Sequence, residues 1–376
     1  MRKHFTTYEY RQRNIKIAKN RLSRNLISKE KQKEKRILRA VESRNDTPPI
    51  NPKKKKNKVK KIKNVYSRKS DGFKPTVYAP SDFRLIENSE ACLAFFRDLR
   101  SDQFLNYYKN VKFVNMSLTI VKEVDYGTIS ILTAISDDLK LKGIILRGDF
   151  PKDDTPKNFM IESGFLNHMV DNKNRKFPKA DKSDLIFFEK GCGRLSVSDN
   201  INISNTVKHV VQHLTGEISQ CKSIKTIILE ICGNSIEWGG TANKQWLLGV
   251  KYETGKVIFT VTDVGKGILE TLHRKFSLQL ADKFTNKSND EVLIGAFDQK
   301  YGSSSQEVNR NKGLPAVKFN FEQGIIGNLK VLTNNVILHF NDKKTSKTFK
   351  KGSARFRGTF YQWEMNNECL KKLISS

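Results

Sequence analysis

Apolar residues return at helical spacing in two stretches of this chain. Ile224, Ile227, Ile228 and Ile231 make a stripe that predicts a helix from about Ser223 to Trp238. Ile129, Leu132, Ile135 and Leu139 predict a second, from Tyr126 to Leu141. Further helices are expected over about 204–219 and 155–162, and one opening near Leu314. Short apolar runs read as strands: 111–120, 143–147 and Val257-Ile-Phe-Thr-Val261; Leu185-Ile-Phe-Phe188 reads as the start of the second domain. Strands and helices alternate over 76–172, which predicts a small α/β sheet domain. A second α/β domain is expected over 183–366. Residues 173–182, rich in Lys, Asn and Asp, read as the hinge, and 269–311 is long enough for a lid.

The first 75 residues break this pattern. Lys, Arg, Glu and Leu without Pro favour a helix from about Tyr8 to Ser43. Pro48-Pro-Ile-Asn-Pro52 ends it, and residues 53–63 then read as an unfolded basic run. Residues 1–75 hold 26 Lys and Arg against 6 Asp and Glu, so +20 of the chain's net charge of +30 sits there. Three readings follow: neutralising phosphates of DNA or RNA, binding an acidic protein or membrane surface, or solvating the chain. No stretch reaches the 18 apolar residues of a membrane span. Five scattered cysteines without a C-x-x-C pair support neither a zinc site nor a disulfide frame, so a cytoplasmic location is expected.

Three short segments carry candidate chemistry. In Glu230-Ile-Cys-Gly-Asn234 a carboxylate and a carboxamide stand one turn apart on a helix face. Glu can take a proton from an attacking water, and the Asn oxygen suits Mg²⁺. In Asp263-Val-Gly265-Lys-Gly267 a carboxylate ends a strand beside glycines that let backbone come close. In Lys312-Gly313-Leu314 a Gly opens a helix whose free N–H groups suit phosphate. His209 and His213, at i and i+4, have no third ligand spaced nearby and read as ordinary helix-surface residues.

The ordered triple resembles the N, G1 and G2 boxes of the GHKL ATPase family, over roughly 203–365. The resemblance implies a mixed sheet covered by helices that binds ATP and Mg²⁺. Glu230 would be the general base, Asn234 the metal ligand and Asp263 the adenine partner. Gly265, Gly267, Lys312, Gly313 and Leu314 would shape the nucleotide pocket, with Glu237 a turn further along the first helix. Ala296–Ser305, with Ser303 and Ser304, resembles the segment before the G2 box, and Gly358-Thr359-Phe360 the strand that closes the pocket. Asn311 stands where that box usually has a Gly. Residues 76–172 resemble, more loosely, a STAS domain of the anti-sigma antagonist type. Tyr126 aligns with the phosphorylated Ser there, which argues against a phospho-switch; Thr128 is the one substitute, and a domain used for packing or partner docking is the preferred reading.

The expected protein is thus a regulatory one of bacterial type. Mg-ATP binding and slow hydrolysis would switch a surface for a protein partner. Alternatives are a serine/threonine kinase of the anti-sigma type and a nucleic-acid adaptor with a decayed nucleotide site. A homodimer is compatible with any of these.

Overall fold

The computed structural model describes residues 75–108, 111–169, 175, 177, 186–192, 195–238, 245–276, 287–299, 313–350 and 352–375, with backbone alone at 186–192, 234–238, 273–276 and 374–375. The helix expected over 8–43, the basic run and all but two residues of the expected hinge lie outside them. Residues 71–376 form one compact unit, apart from 1–70. The architecture is mixed α/β. No helix among the described residues is long and apolar enough to cross a membrane.

The first lobe runs β1 (Thr76–Tyr78), β2 (Asp82–Phe83), α1 (Ser89–Leu99), β3 (Leu105–Tyr108), β4 (Val111–Ser117), β5 (Glu123–Val124), α2 (Tyr126–Leu141), β6 (Ile144–Gly148) and α3 (Asp154–Glu162). β4 is central, parallel to β1 and β6 and antiparallel to β3. It stops at Ser117, short of the expected Ile120. Asp149 takes the Leu118 N–H at 2.6 Å and the Ser117 hydroxyl at 2.8 Å, drawing the chain off the ladder. Asp125 starts α2 by accepting from Thr128 N at 2.6 Å, and also receives Leu85 N at 2.8 Å.

The second lobe runs β7 (Ile186–Cys192), α4 (Val197–Thr215), α5 (Lys222–Trp238), β8 (Gln245–Glu253), β9 (Lys256–Asp263), α6 (Ile268–Phe276), α7 (Asn289–Phe297), α8 (Gly313–Glu322), β10 (Gly327–Asn334), β11 (Val336–His339), β12 (Lys347–Thr348), β13 (Phe356–Asn366) and α9 (Asn367–Ser375). Its seven strands are antiparallel, in the order β12-β11-β10-β13-β9-β8-β7. α4 begins seven residues before the expected 204, because Ser196 and Asp199 form a capping box. It ends at Gly216, whose φ of 83° suits a residue without Cβ. Part of the expected lid is helix: α7 buries Val292, Leu293 and Phe297 in the core. α9 continues past the expected end at 366 and adds Cys369 and Leu370 to that core.

Each face of the large sheet has its own apolar cluster. On the front, Val257, Phe259 and Val261 of β9 and Tyr361, Trp363 and Met365 of β13 pack with Ile224, Ile227, Ile228 and Ile231 of α5. On the rear, Leu247, Leu332, Ile337 and Phe360 pack with first-lobe residues such as Phe83, Ile129 and Leu132. The period-2 alternation of each strand supplies both faces. α2 is the shared element, buried at every position from Tyr126 to Leu139. Three hydroxyls join it to β9: Ser130 lies 2.8 Å from Thr262 and 3.1 Å from Thr260. This seam excludes Thr128 as the substitute acceptor and agrees with the packing reading. Thr128 is 0% exposed, so no kinase reaches its hydroxyl in this arrangement.

The seam makes a stability prediction. Phe360 is fully buried, and its ring lies 3.0 Å from where a Cβ on Gly127 would stand. Phe360→Ala should cost about 3–5 kcal/mol in urea unfolding. It should lower the first- and second-lobe transitions together, as followed by probes placed in each. A loss confined to one lobe would contradict the shared core.

Candidate functional site

The sheet ends in a row of polar side chains on its front face. Asp263 is the last residue of β9 and pairs in register with Thr359 of β13, which pairs with Thr333 of β10. On the other side, Leu247 pairs with Thr262, which places Trp246 of β8 one step on, alongside Asp263. Alternation sets these four on the face that packs against α5, since Trp246, Val261, Tyr361 and Val331 all belong to the front cluster. All four are nearly or fully buried. The Trp246 indole N–H has no acceptor among the described residues.

Asp263 is 4% exposed. Burial pushes its pKa up to about 6, against the opposing pull of hydrogen bonds from Gly265 and Thr359 and the more distant Arg100 charge. Gly265 N donates to its Oδ1 at 2.9 Å. A buried carboxylate held by neutral donors is a strong acceptor for an N–H outside the fold.

The turn after Asp263 is fixed from the β10–β11 hairpin. Thr333 Oγ1 accepts from Ile268 N at 2.9 Å, and Asn334 Oδ1 from Leu269 N at 3.1 Å. Asn334 Nδ2 donates back to Lys266 O at 2.8 Å. These bonds satisfy the first N–H groups of α6. Gly267 sits inside this clasp with φ 83°, where a Cβ would lie 2.5 Å from Asn334 Oδ1 and 2.8 Å from Gly358 O. Only glycine fits there.

The other expected site residues are placed as follows. Glu230 lies on α5 with its side chain exposed. Asn234 and Glu237 follow on the same helix, but their side chains lie outside the described set, as do Ser303, Ser304, Lys312 and the Asn311 turn. Gly313 is buried and opens α8, with Leu314 next, and α8 packs against α5. α5 in turn packs on β8 and β9. The elements that carry the three segments, α5, β9 and α8, share the front face of the sheet, with α5 between the other two. His213 Nε2 donates to the Glu253 carbonyl at 2.8 Å, and the ring packs edge-on against Tyr252, an ordinary structural role. Among the described residues no His, Cys, Asp and Glu group forms a metal cluster.

Sequence reasoning missed Trp246, Thr333, Asn334 and Arg100. Asn334-Asn335 between two apolar runs is a turn signal, which could have marked the hairpin. Nothing local ties any of the four to Asp263. Compared with known proteins, the chain matches no family model and no curated sequence.

The carboxylate makes a prediction that needs no ligand. Its pKa is raised on folding from 3.8 to about 6. The folded state therefore holds the proton more tightly than the unfolded chain. Stability from this group is full below pH 4 and is lost as pH rises through 6. Asp263→Asn keeps the acceptor for Gly265 and removes the ionisation. It should stabilise the unliganded protein at pH 8 by up to about 3 kcal/mol and flatten the decline between pH 4 and 6, measured by urea unfolding. A destabilised Asn variant at pH 8 would contradict the buried-charge account.

Proposed function

We propose that the chain is a GHKL-type nucleotide-binding protein, with a STAS-like lobe behind the sheet, that binds ATP with Mg²⁺ on the front face. The observation that carries this is Asp263: a buried carboxylate at a strand end, beside Thr359, in a turn whose Gly267 leaves no room for a Cβ. That is the chemistry an adenine amino group requires, an ionised acceptor in a dry pocket with close backbone. The chemistry of these residues supports them as the partners of the purine end of ATP. Trp246 and Thr359 would flank it, and the start of α8 at Gly313 would receive phosphate. Mg²⁺, held by Asn234 and phosphate oxygens, would supply charge neutralisation.

Glu230 stands exposed one turn before Asn234 and can take a proton from a water. Slow hydrolysis then follows from positioning and charge, and the change in phosphate state switches a partner surface.

ATP titration followed by tryptophan fluorescence is the direct test, since Trp246 adjoins Asp263. Wild type should respond saturably with Mg-ATP, and affinity should fall as pH drops through about 6, where Asp263 takes up its proton. Asp263→Asn should weaken binding at least tenfold, the loss of one charge-assisted hydrogen bond of about 1.5–3 kcal/mol. Asn234→Ala should weaken it only when Mg²⁺ is present. Glu230→Ala should bind normally and lose hydrolysis. No response in wild type at millimolar Mg-ATP would end this reading.

A polyanionic partner is favoured by one observation outside the N-terminal arm. Residues 343–357 contain seven Lys and Arg and no acid. Lys343, Lys344, Lys347, Lys350, Arg355 and Arg357 are exposed. Replacing Lys343, Lys344 and Lys347 by Gln should reduce duplex DNA affinity, and its salt dependence, in filter binding at two ionic strengths. Equal slopes would remove nucleic acid as the ligand of this segment.

A further inference from the structure

Arg100 follows the last residue of α1 and reaches from the first lobe to the end of the large sheet. Its Nη1 donates to the Arg357 carbonyl at 2.6 Å and its Nη2 to the Val264 carbonyl at 2.7 Å. Val264 follows Asp263, and Arg357 stands two residues before Thr359. One guanidinium therefore spans the ends of β9 and β13, the two strands that carry the carboxylate and hydroxyl of the site. The planar fork suits this double bond in a way an ammonium does not.

The charge calls for a reason. The guanidinium is half-buried, and even partial loss of water around a charge is costly and lowers the Arg100 pKa. Through space Asp138 attracts it, Arg357 repels it and Asp263 attracts it. Two neutral donors would hold the same carbonyls without that cost.

We propose that Arg100 is a positioning residue through which the first lobe sets the affinity of the nucleotide site, by clamping together the strand ends that carry Asp263 and Thr359. This rests on the nucleotide reading above. The clamp fixes the distance between carboxylate and hydroxyl, and its positive charge favours the ionised form of Asp263 that a purine amino group needs. α1 is the lever. A ligand or partner that displaces α1 withdraws the guanidinium, loosens both strand ends and weakens nucleotide binding. Reciprocally, bound nucleotide holds α1 in place.

The test compares wild type, Arg100→Ala, Arg100→Gln and Arg100→Lys in the full chain. Three quantities are read: thermal midpoint without ligand, Mg-ATP affinity between pH 5.5 and 8.5, and stability against pH without ligand. Arg100→Ala and Arg100→Gln should weaken Mg-ATP at least tenfold at pH 7 and more at lower pH. The pH window in which unliganded stability declines should move upward in both, because Asp263 has lost a favourable charge. Arg100→Lys should restore the pH window and only part of the affinity, since one ammonium cannot reproduce the fork. A purely structural role would lower the thermal midpoint and leave the affinity of the folded fraction and both pH profiles unchanged. That result in Arg100→Gln, with wild type binding normally, overturns the inference alone. Failure of wild type to bind Mg-ATP overturns the nucleotide reading, and this inference with it.

Discussion

A seven-stranded antiparallel sheet with two apolar faces must be covered on both. In this chain the front is covered by helices of its own lobe, and the rear by α2 of the lobe before it. Sealing the rear face is the constraint on which the rest depends. It buries α2 from Tyr126 to Leu139, engages Ser130 with Thr260 and Thr262, and brings α1 to the strand ends. At about 25 cal/mol per Å² of apolar surface removed from water, such a seam outweighs anything its hydroxyl pairs contribute. The hydroxyls fix register instead. Each one buried without a partner would cost about 1–3 kcal/mol, so they admit one docking of helix on sheet.

The same burial creates the site. Asp263 ends a strand whose neighbours are Phe259 and Val261, fully inside the front core. Water is excluded there, so the carboxylate is costly in its charged form and strong as an acceptor. Ionisation at this residue costs stability, and the binding proposed for it needs the ionised form. Around it the fold spends polar groups on rigidity. Thr333 and Asn334 cap α6, and Gly267 and Gly358 let the turn close on the sheet. A site built this way is held by strands and a clasped turn, not by a free loop.

Much of the element order was legible in the residues, because apolar spacing reports which side of an element is buried. The helix expected over 126–141 has those bounds in the structure, and that over 223–238 differs by one residue. Asp263 before Gly265 and Gly267 reads as a strand end and a tight turn, and is one. What was hidden depends on long-range pairing. Trp246, Asp263, Thr359 and Thr333 lie far apart in sequence and form a row only through strand register. Arg100 carries no local signal, since its partners are backbone carbonyls more than 150 positions away. Only the loose STAS resemblance offers Thr128 as a substitute acceptor, and the seam buries it. The 269–311 stretch reads as a lid on its length alone, and its apolar run Val292-Leu293 goes into the core as part of α7.

The central claim is that the buried carboxylate at 263 receives a nucleotide. It is tested most directly by carbon NMR of the carboxyl groups in protein labelled at aspartate, with the Asp263 signal assigned by its absence in Asp263→Asn. Without ligand the signal should titrate near 6. With saturating Mg-ATP its midpoint should fall well below that, because an adenine amino group donates to the ionised form. A midpoint that stays unchanged while ATP is demonstrably bound would place the nucleotide elsewhere and contradict the account.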